Sequence, residues 1–414
     1  MNVLPLSARA AGTGTRGRRG VLSALVLAAV MTVATACGGD GDGSDAGKKS
    51  DKKVSAEGPS QAVVSIAVKD GATDVKTSGA LKVTAEQGSL TSVKVTDGKG
   101  GRIEGKISRG GSLWEPVAHL AASTKYSVDA IAKDKDGRES AKHASFTTLT
   151  PQNTFAGYFT PEDGSTVGVG MPVSLTFSRG ITDPKAVERA VKVTAEPAVD
   201  VKPHWFGNDR LDFRPEKYWA AGTKVTLSLN LNGVEGRPGV YGTQTKTVKF
   251  TVGRSQVSTV DAKAHTMKVE RDGKVIKTVP ISAGAPGHST YNGQMVISEK
   301  YDVTRMNGDT VGFGGEYDIK DVPHAMRLST SGTFIHGNYW SGHDTFGSEN
   351  ASHGCVGLED QRGGGDPSMP GAWFFKNSMI GDVVVVKNSD DKVIQPENGL
   401  NGWNLPWSEW TKSS

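Results

Sequence analysis

The stretch from residue 334 to residue 358 decides how this sequence is interpreted: it reads FIHGNYW at 334–340 and SHGCVGL at 352–358. A thiol attacks an acyl carbon as its thiolate, and a histidine close in space can take the thiol proton. Gly354 permits a sharp turn and a close approach of the backbone, so the amides of Gly354 and Cys355 can face a developing oxyanion. The pattern therefore predicts a nucleophile at Cys355 and a base at His336.

Other uses of these residues have weaker support. No Asp or Glu lies beside His336, so a backbone carbonyl such as that of Gly337 is expected to hold its tautomer. Four of the nine histidines fall within 30 residues, which raises a zinc site: His324, His336, His343 and His353. Neither an H-E-x-x-H pair nor paired C-x-x-C motifs are present, and the polar, glycine-rich setting disfavours an inert buried cysteine. We therefore predict no metal and no cofactor.

The sequence around this stretch reads as β-structure. Residues 267–270 and 275–279 flank Arg271-Asp272-Gly273-Lys274, which predicts a hairpin. The run VVVV at 383–386 is typical of a buried strand, and WFF at 373–375 of a short helix. We assign residues 253–388 to one catalytic domain and residues 389–414 to a Trp-rich C-terminal extension.

Two β-modules precede this domain, at residues 61–150 and 151–252. Short alternating strands and tight-turn signals, such as the turn at 97–100 between strands at 93–96 and 103–107, predict β-sandwiches. Leu120, Thr124 and Tyr126 resemble a tyrosine corner. The second module repeats the first about 99 residues later, and Asp183-Pro184 predicts the start of a helix. Neither module shows a catalytic constellation, so both are expected to be spacer or docking modules.

The N-terminus has the pattern of an export signal. Arg9, Arg16, Arg18 and Arg19 precede a 13-residue apolar run at 21–33, which is too short to favour a membrane-spanning helix. The sequence ATAC at 34–37 resembles a bacterial lipobox, although Ala34 stands where that pattern usually has Leu. We expect residues 1–36 to be a signal peptide, Cys37 to be lipidated, and residues 37–60 to form a flexible linker.

Charge and cysteine usage narrow the function further. The chain has 414 residues and a formal net charge of +4, but the first 36 residues hold four arginines and no acidic residue. The rest carries 44 basic and 44 acidic residues, so a nucleic-acid partner has no support. Cys37 and Cys355 are the two cysteines. With Cys37 lipidated, Cys355 is left as an unpaired thiol in an exported protein.

His336 followed by 15 residues and then Ser352-His353-Gly354-Cys355 resembles the signature of the L,D-transpeptidases, whose catalytic domain is of the YkuD type. The lipoprotein-like signal, the two modules and the tail WNLPWSEW at 403–410 are similar to actinobacterial lipoproteins of this family. The implied fold is mainly β: two tandem immunoglobulin-like sandwiches, then a β-rich YkuD-type domain and a tail that packs back on that domain. The implied location is outside the cytoplasm, lipid-anchored to the membrane and facing the cell wall.

The resemblance also implies a reaction. Cys355 attacks a peptidoglycan tetrapeptide stem, expels D-Ala and forms a thioester, which a neighbouring stem resolves into a 3→3 cross-link in cell wall biogenesis. His336 is then the base that Gly337 orients, and Gly354 and Cys355 supply oxyanion amides. Ser352 and His353 shape the loop and contact substrate, and substrate is further lined by Tyr317, Trp340 and Met306. Carbapenems are the implied covalent inhibitors.

Two positions depart from the family pattern. Gly357 stands where Asn or Arg is usual, and Thr290-Tyr291-Asn292-Gly293 replaces a Thr-Pro-x-Gly element. In relatives the side chain at this position contacts substrate, and Gly357 has no side chain to make that contact. Two other functions stay open: an L,D-carboxypeptidase, in which water resolves the thioester, and a wall-binding lipoprotein without catalysis. Neither the diamino acid of the stem nor the oligomeric state follows from the sequence.

Overall fold

A computed structural model describes residues 58–311 and 314–413. The predicted signal peptide, the predicted lipidation at Cys37 and nearly all of the predicted linker lie outside these residues. Three hydrophobic cores follow one another along the described chain, running from Ala62 to Phe146, from Phe155 to Val252 and from Val260 to Ile394. None of the described helices is long and apolar enough to cross a membrane. The chain is predominantly β, as the sequence predicts.

The first core lies between two four-stranded sheets, in the orders β1-β3-β6-β5 and β2-β8-β7-β4. The strands are β1 Val63–Ile66, β2 Ala72–Val75, β3 Val83–Glu86, β4 Ser89–Asp97, β5 Gly105–Ser108, β6 Leu113–Pro116, β7 Lys125–Lys133 and β8 Glu139–Thr148. Side chains alternate between core and solvent along β7, as period-two strands require. The Tyr126 hydroxyl accepts a hydrogen bond from the Ala121 amide at 2.9 Å, which confirms the predicted tyrosine corner.

The predicted return strand after the turn at 97–100 behaves differently. The chain forms one short bridge with β4, at Thr96 and Arg102, and the Ile103 amide donates to the Val95 carbonyl at 2.9 Å. Strand β5 then joins β6 in the opposite sheet. Gly105 permits this crossing, because a Cβ there would lie 2.0 Å from the Trp114 ring. The indole, which is buried in the first core, rests directly on the β5 backbone. A local turn signal does not reveal which sheet receives the next strand.

The second core repeats this plan with eleven strands in three small sheets. Their orders are β10-β12-β15-β14, β11-β19-β16-β13 and β17-β18-β9. The strands are β9 Asn153–Phe155, β10 Gly157–Thr160, β11 Thr166–Val167, β12 Val173–Phe177, β13 Val191–Glu196, β14 Val201–Phe206, β15 Arg210–Pro215, β16 Lys224–Asn230, β17 Glu235–Arg237, β18 Val240–Gly242 and β19 Thr245–Val252. Tyr126 pairs with Phe146 across β7 and β8, and Val225 pairs with Phe250 across β16 and β19, which confirms the internal repeat.

The predicted helix in the second module is also present. Helix α1 spans Pro184–Arg189, and the Asp183 carboxylate caps it by accepting from the Ala186 amide at 3.0 Å. Proline at the first helical position needs no hydrogen-bond partner there, and its fixed φ suits the turn. A local signal was sufficient in this case because cap and proline act within four residues.

The third core is built on one nine-stranded sheet, in the order β23-β28-β20-β21-β22-β27-β26-β25-β24. The strands are β20 Gln256–Asp261, β21 Thr266–Arg271, β22 Lys274–Ser282, β23 Gly293–Val296, β24 Glu299–Asn307, β25 Asp318–Arg327, β26 Phe334–Asn338, β27 Val356–Glu359 and β28 Val383–Lys387. The predicted hairpin is β21–β22, the predicted buried strand is β28, and the predicted helix is α2 at Pro370–Asn377. Strands β20 and β28 pair in parallel, with Val257 opposite Val383 and Asp261 opposite Lys387, so the first and the last strand of the domain lie side by side in one sheet.

Backbone contacts join the second sandwich to the third domain. The amides of Gly168 and Gly170 donate to the carbonyls of Ile380 and Gly381 at 2.8 and 2.9 Å. A Cβ on Gly168 would lie 2.2 Å from the Asp382 amide nitrogen, so only glycine permits this approach. The two sandwiches also meet, where the Thr77 hydroxyl donates to the Gly233 carbonyl at 2.7 Å.

The C-terminal tail contacts both of these domains. Its asparagines bind the third domain: the Asn401 side chain accepts from the Val296 amide, and that of Asn404 from the Gln294 amide. Its tryptophans bind the second sandwich, because the indoles of Trp403 and Trp410 donate to the carbonyls of Gly170 and Lys202 at 2.7 and 3.0 Å. The tail therefore packs on the second sandwich as well as on the third domain, and the sequence does not show which surface receives the indoles.

The guanidinium of Arg214 contacts three tryptophans of the tail. This buried side chain lies over the rings of Trp403, Trp407 and Trp410 at 4.8, 5.3 and 4.2 Å. It also donates to the Leu405 carbonyl at 2.8 Å. Burial lowers the pKa of Arg214 to about 10, which leaves the cation charged at neutral pH and attracted to the three rings.

Candidate active site

Two neighbouring strands bring His336 and Cys355 together. Strands β26 and β27 pair in parallel, with Ile335 opposite Val356 and His336 opposite Gly357. Cys355 directly precedes β27, so its side chain lies beside the strand that carries the imidazole. Both residues are buried, with 5% of His336 and 9% of Cys355 exposed.

The loop before Cys355 is held in a tight conformation by its own hydrogen bonds. Gly354 has a φ of +101°, which L side chains rarely adopt. The Ser352 hydroxyl donates to the Cys355 carbonyl at 2.6 Å, and the Thr290 hydroxyl approaches the same carbonyl at 3.5 Å. The Ala285 amide donates to the Ser352 carbonyl at 2.8 Å. The Ser352 hydroxyl is therefore used in shaping the loop.

The thiol of Cys355 is protonated in this arrangement. Its Sγ atom lies 3.6 Å from the Gly332 carbonyl oxygen, and the side chain packs against Val322, Ala325 and Phe334. Burial raises the pKa of Cys355 to about 11, against the smaller opposing effects of the Phe334 amide and the Arg327 charge. A base must therefore take the proton when the thiol reacts, because little thiolate exists at neutral pH.

His336 has the properties that such a base requires. Its Nδ1 donates to the Gly337 carbonyl at 2.9 Å, which leaves Nε2 as the unprotonated nitrogen. Burial lowers the pKa of His336 below its ordinary value of 6.5, so the ring is neutral at neutral pH. The indole of Trp340 stacks on the imidazole with 5.6 Å between ring centroids and an angle of 20°.

The buried carboxylate of Asp360 packs against Gly337, the residue whose carbonyl binds His336. A Cβ added to Gly337 would lie 2.3 Å from Asp360 Oδ2, so the carboxylate packs on the glycine backbone. The same oxygen is 2.7 Å from His324 Nδ1. The position of Gly337 therefore needs glycine for its packing as well as a carbonyl for its hydrogen bond.

Tyr317, His353 and Met306 complete the surroundings of the thiol. The rings of Tyr317 and His353 lie 5.1 Å apart, and Met306 packs against the apolar cluster that holds Cys355. Burial raises the pKa of Tyr317 to about 12, with smaller contributions from Cys355 and Glu316. The phenol is therefore a hydrogen-bond donor at neutral pH. The residues predicted to be catalytic or substrate-binding thus lie in one region around β26 and β27, whereas Cys37 lies outside the described residues.

Sequence reasoning missed several contributors to this region. Thr290 stood in a recognisable element but had no assigned role. Gly332, Asp360 and Glu316 carry no local signal, because they reach the site through strand pairing and loop packing. Glu316 Oε2 lies 3.2 Å from His353 Nε2 and 3.7 Å from His288 Nε2, so these three side chains have the donor atoms to hold a cation.

Two family models match parts of this chain. A family model described as the L,D-transpeptidase catalytic domain matches residues 255–386, and one described as a bacterial Ig domain matches residues 72–235. L,D-transpeptidase 2 of Mycobacterium tuberculosis is 31% identical to the chain over 404 residues, covering 96% of this chain and 95% of that protein.

Two further similarities are more partial. L,D-transpeptidase 5 of Mycobacterium tuberculosis is 29% identical, covering 83% of this chain and 75% of that protein. The crystal structure of L,D-transpeptidase 3 from Mycobacterium tuberculosis, in complex with a faropenem-derived adduct, is 28% identical with a TM-score of 0.45. That alignment covers 56% of this chain and 98% of the solved one.

Proposed function

The chain belongs to the L,D-transpeptidase family and is an acyltransferase of peptidoglycan, and we propose that Cys355 is its nucleophile and His336 its base. One observation carries this assignment. The parallel pairing of β26 with β27 sets a buried thiol beside a buried, neutral imidazole whose Nδ1 is already hydrogen-bonded. A neutral base with a fixed tautomer is what a protonated thiol requires.

The proposed reaction has two acyl-transfer steps. Cys355 Sγ bonds to the carbonyl carbon of the third stem residue while His336 takes the thiol proton. The C–N bond to D-Ala then breaks, and the departing amine receives that proton, which leaves a thioester. The side-chain amine of a neighbouring stem attacks the thioester, forms the 3→3 peptide bond and returns the thiol. The broken peptide bond supplies the acyl group, so no nucleotide is needed.

The surrounding residues have supporting roles in this proposal. The positive φ of Gly354 turns the loop so that the Gly354 and Cys355 amides face the oxyanion of each tetrahedral intermediate. Tyr317, Trp340 and Met306 line the stem-binding region, and His353 positions Tyr317 through ring contact. Gly357 leaves room beside Asn338, since a Cβ at 357 would be 3.4 Å from the Asn338 side-chain nitrogen.

The first experiment is the intact mass of the full chain, purified in mild detergent, after incubation with a carbapenem. Wild type should gain one drug-sized adduct, because the β-lactam ring presents a strained carbonyl to the Cys355 thiol. A Cys355→Ser variant is the matched control and should gain none. No adduct on wild type, with Cys355 shown to be reduced, would contradict the nucleophile assignment and favour a non-catalytic wall-binding lipoprotein.

Product analysis then separates cross-linking from hydrolysis. Disaccharide-tetrapeptide incubated with the enzyme should give 3→3 dimers and free D-Ala. Tripeptide monomers without dimers would instead identify an L,D-carboxypeptidase. A Ser352→Ala variant is expected to lower both products together. It removes the hydrogen bond that holds the nucleophile loop, which both reactions need, and leaves acceptor binding unchanged.

We further propose that the protein is held at the outer face of the cytoplasmic membrane through lipid on Cys37, facing the wall. The sequence pattern at residues 34–37 supports this placement. Cells that express Cys37→Ala should release the protein into the soluble fraction, whereas wild type should stay with membranes. Equal membrane retention of both proteins would reject the lipid anchor.

A further inference from the structure

A cluster of three side chains lies beside the nucleophile loop, and two of its members, His288 and Glu316, have no part in the proposed reaction. His288 comes from the loop after β22, Glu316 from the segment before β25, and His353 from the nucleophile loop. Their ligand atoms all lie within 4.8 Å of one another. The side chains are 35%, 47% and 37% exposed, so a dissolved ion can reach them.

The separations within the cluster differ from those of hydrogen-bonded histidine–carboxylate pairs elsewhere in the described chain. His143–Asp129, His324–Asp360 and His343–Glu359 each join one ring nitrogen to one carboxylate at 2.7 Å. Glu316 Oε2 instead stands between two ring nitrogens, at 3.2 Å from His353 and 3.7 Å from His288. One carboxylate oxygen thus faces two imidazoles at longer range, which is compatible with three ligand atoms around one ion.

The two histidine–glutamate distances suit a divalent transition metal. Tetrahedral Zn²⁺ with ligands at about 2.0–2.1 Å places neighbouring ligand atoms roughly 3.4 Å apart. The two histidine–glutamate separations, 3.2 and 3.7 Å, bracket that value. Two imidazoles and one carboxylate are also a donor set that Zn²⁺ takes in open sites, where a fourth position is left for water or another ligand.

We propose that His288, Glu316 and His353 form a binding site for a divalent transition cation such as Zn²⁺. An ion there ties the segment that contains Tyr317 to the loop that contains Cys355, because Glu316 precedes Tyr317 and His353 lies two residues before the thiol. Closing these two segments on one another restricts entry of a substrate. The cation site therefore acts as a brake on acylation, and this consequence, unlike the binding, rests on the proposed function.

Calorimetric titration of the full chain with Zn²⁺ in mild detergent tests the binding itself. Wild type should bind one ion at this site. His288→Ala and Glu316→Gln should each weaken that binding at least tenfold. His343→Ala is the matched control, because it removes a histidine from a pair with one carboxylate and no second imidazole, and its affinity should equal that of wild type.

A Cys355→Ser variant separates this site from a thiol-bound ion. It should retain the affinity of wild type, and the Co²⁺-loaded protein should show visible bands of nitrogen and oxygen ligation without thiolate charge transfer. Loss of binding in Cys355→Ser with retention in His288→Ala and Glu316→Gln would overturn the proposal. So would equal affinity of wild type, His288→Ala and Glu316→Gln.

The brake is tested by the rate of carbapenem acylation with and without Zn²⁺. Wild type should slow at least fivefold and recover on chelation, and His288→Ala should acylate at one rate in both conditions. Normal acylation without any Zn²⁺ binding would overturn the cation site and leave the proposed function intact. Zn²⁺ binding at His288 and Glu316 without acylation in metal-free buffer would reject the function and leave the site standing.

Discussion

Burial holds both reacting groups, Cys355 and His336, in their neutral forms. The pKa of the thiol is raised to about 11, and that of the imidazole is lowered from 6.5. We therefore expect kcat/KM to fall as the pH drops through the lowered pKa of His336, because the protonated ring no longer accepts the thiol proton. The rate should stay level on the alkaline side until the pH approaches 11. Stopped-flow acylation by a carbapenem across this range is the measurement.

A resting thiolate–imidazolium pair would give a different profile. Its alkaline limb would appear where the imidazolium loses its proton, well below pH 11. If wild type shows such a limb and a His336→Gln variant does not, the conclusion that burial keeps both groups neutral is wrong.

Two glycines within the paired strands, Gly337 in β26 and Gly357 in β27, should differ in how strongly alanine destabilises the protein. At Gly337 a Cβ would lie 2.3 Å from the buried Asp360 carboxylate, so Gly337→Ala should destabilise the protein by about 2 kcal/mol. At Gly357 the nearest atoms would be 3.4 Å away or more, so Gly357→Ala should change stability by less than about 1 kcal/mol. Chemical denaturation of both variants checks the contrast, and equal losses would refute it.

Elements whose cause is local were predictable from the sequence. The Asp183 cap and Pro184 define α1, and the turn at Arg271-Asp272-Gly273-Lys274 defines the hairpin β21–β22. The Tyr126 corner was also recognisable, because its partner Ala121 is five residues away. In each case the decisive contacts lie within one turn or one loop, so the pattern contains the physical cause.

Elements whose cause is distant were not predictable in the same way. Nothing near β20 indicates that β28 pairs with it, and nothing near β5 indicates that it joins β6. The proposed nucleophile and base were predictable because both belong to one sequence motif. Asp360, Gly332 and Glu316 were missed, because their proximity to the site depends on how separate strands and loops pack.

The glycine joint between the second sandwich and the third domain gives a prediction at the level of elements. Gly168→Val should break the hydrogen bond to the Ile380 carbonyl, since the added side chain cannot fit 2.2 Å from the Asp382 amide. The two domains should then unfold in separate thermal transitions. Gly164→Val is the control, because a Cβ there meets no atom within 4 Å, although its positive φ adds some backbone strain. A single unshifted transition in Gly168→Val would show that the joint is unimportant.

At the scale of the whole molecule, the tail couples the second sandwich to the domain that carries Cys355. Trp410 is fully buried, stacks on His204 at 4.7 Å and lies under the Arg214 cation. Trp410→Ala should cost about 3–5 kcal/mol of stability, because a large buried ring and a cation–π contact are lost together. Differential scanning calorimetry gives the loss. Lys412→Ala, which removes an exposed charge pair two residues on, should leave the transition unchanged.

The neutral, buried state of Cys355 should slow the oxidation of its thiol. The thiolate, and not the thiol, is the nucleophile that attacks peroxides and disulfide reagents, and a thiol with a pKa of about 11 offers very little thiolate at neutral pH. The proposed location outside the cytoplasm is oxidising, and the described chain holds no partner cysteine that would protect the thiol as a disulfide. We expect hydrogen peroxide to oxidise Cys355 more slowly than free cysteine at pH 7, as followed by intact mass; an equal rate would contradict this. Reactivity then appears only when a substrate displaces the resting contacts, so the same burial that delays catalysis preserves the sulfur between turnovers.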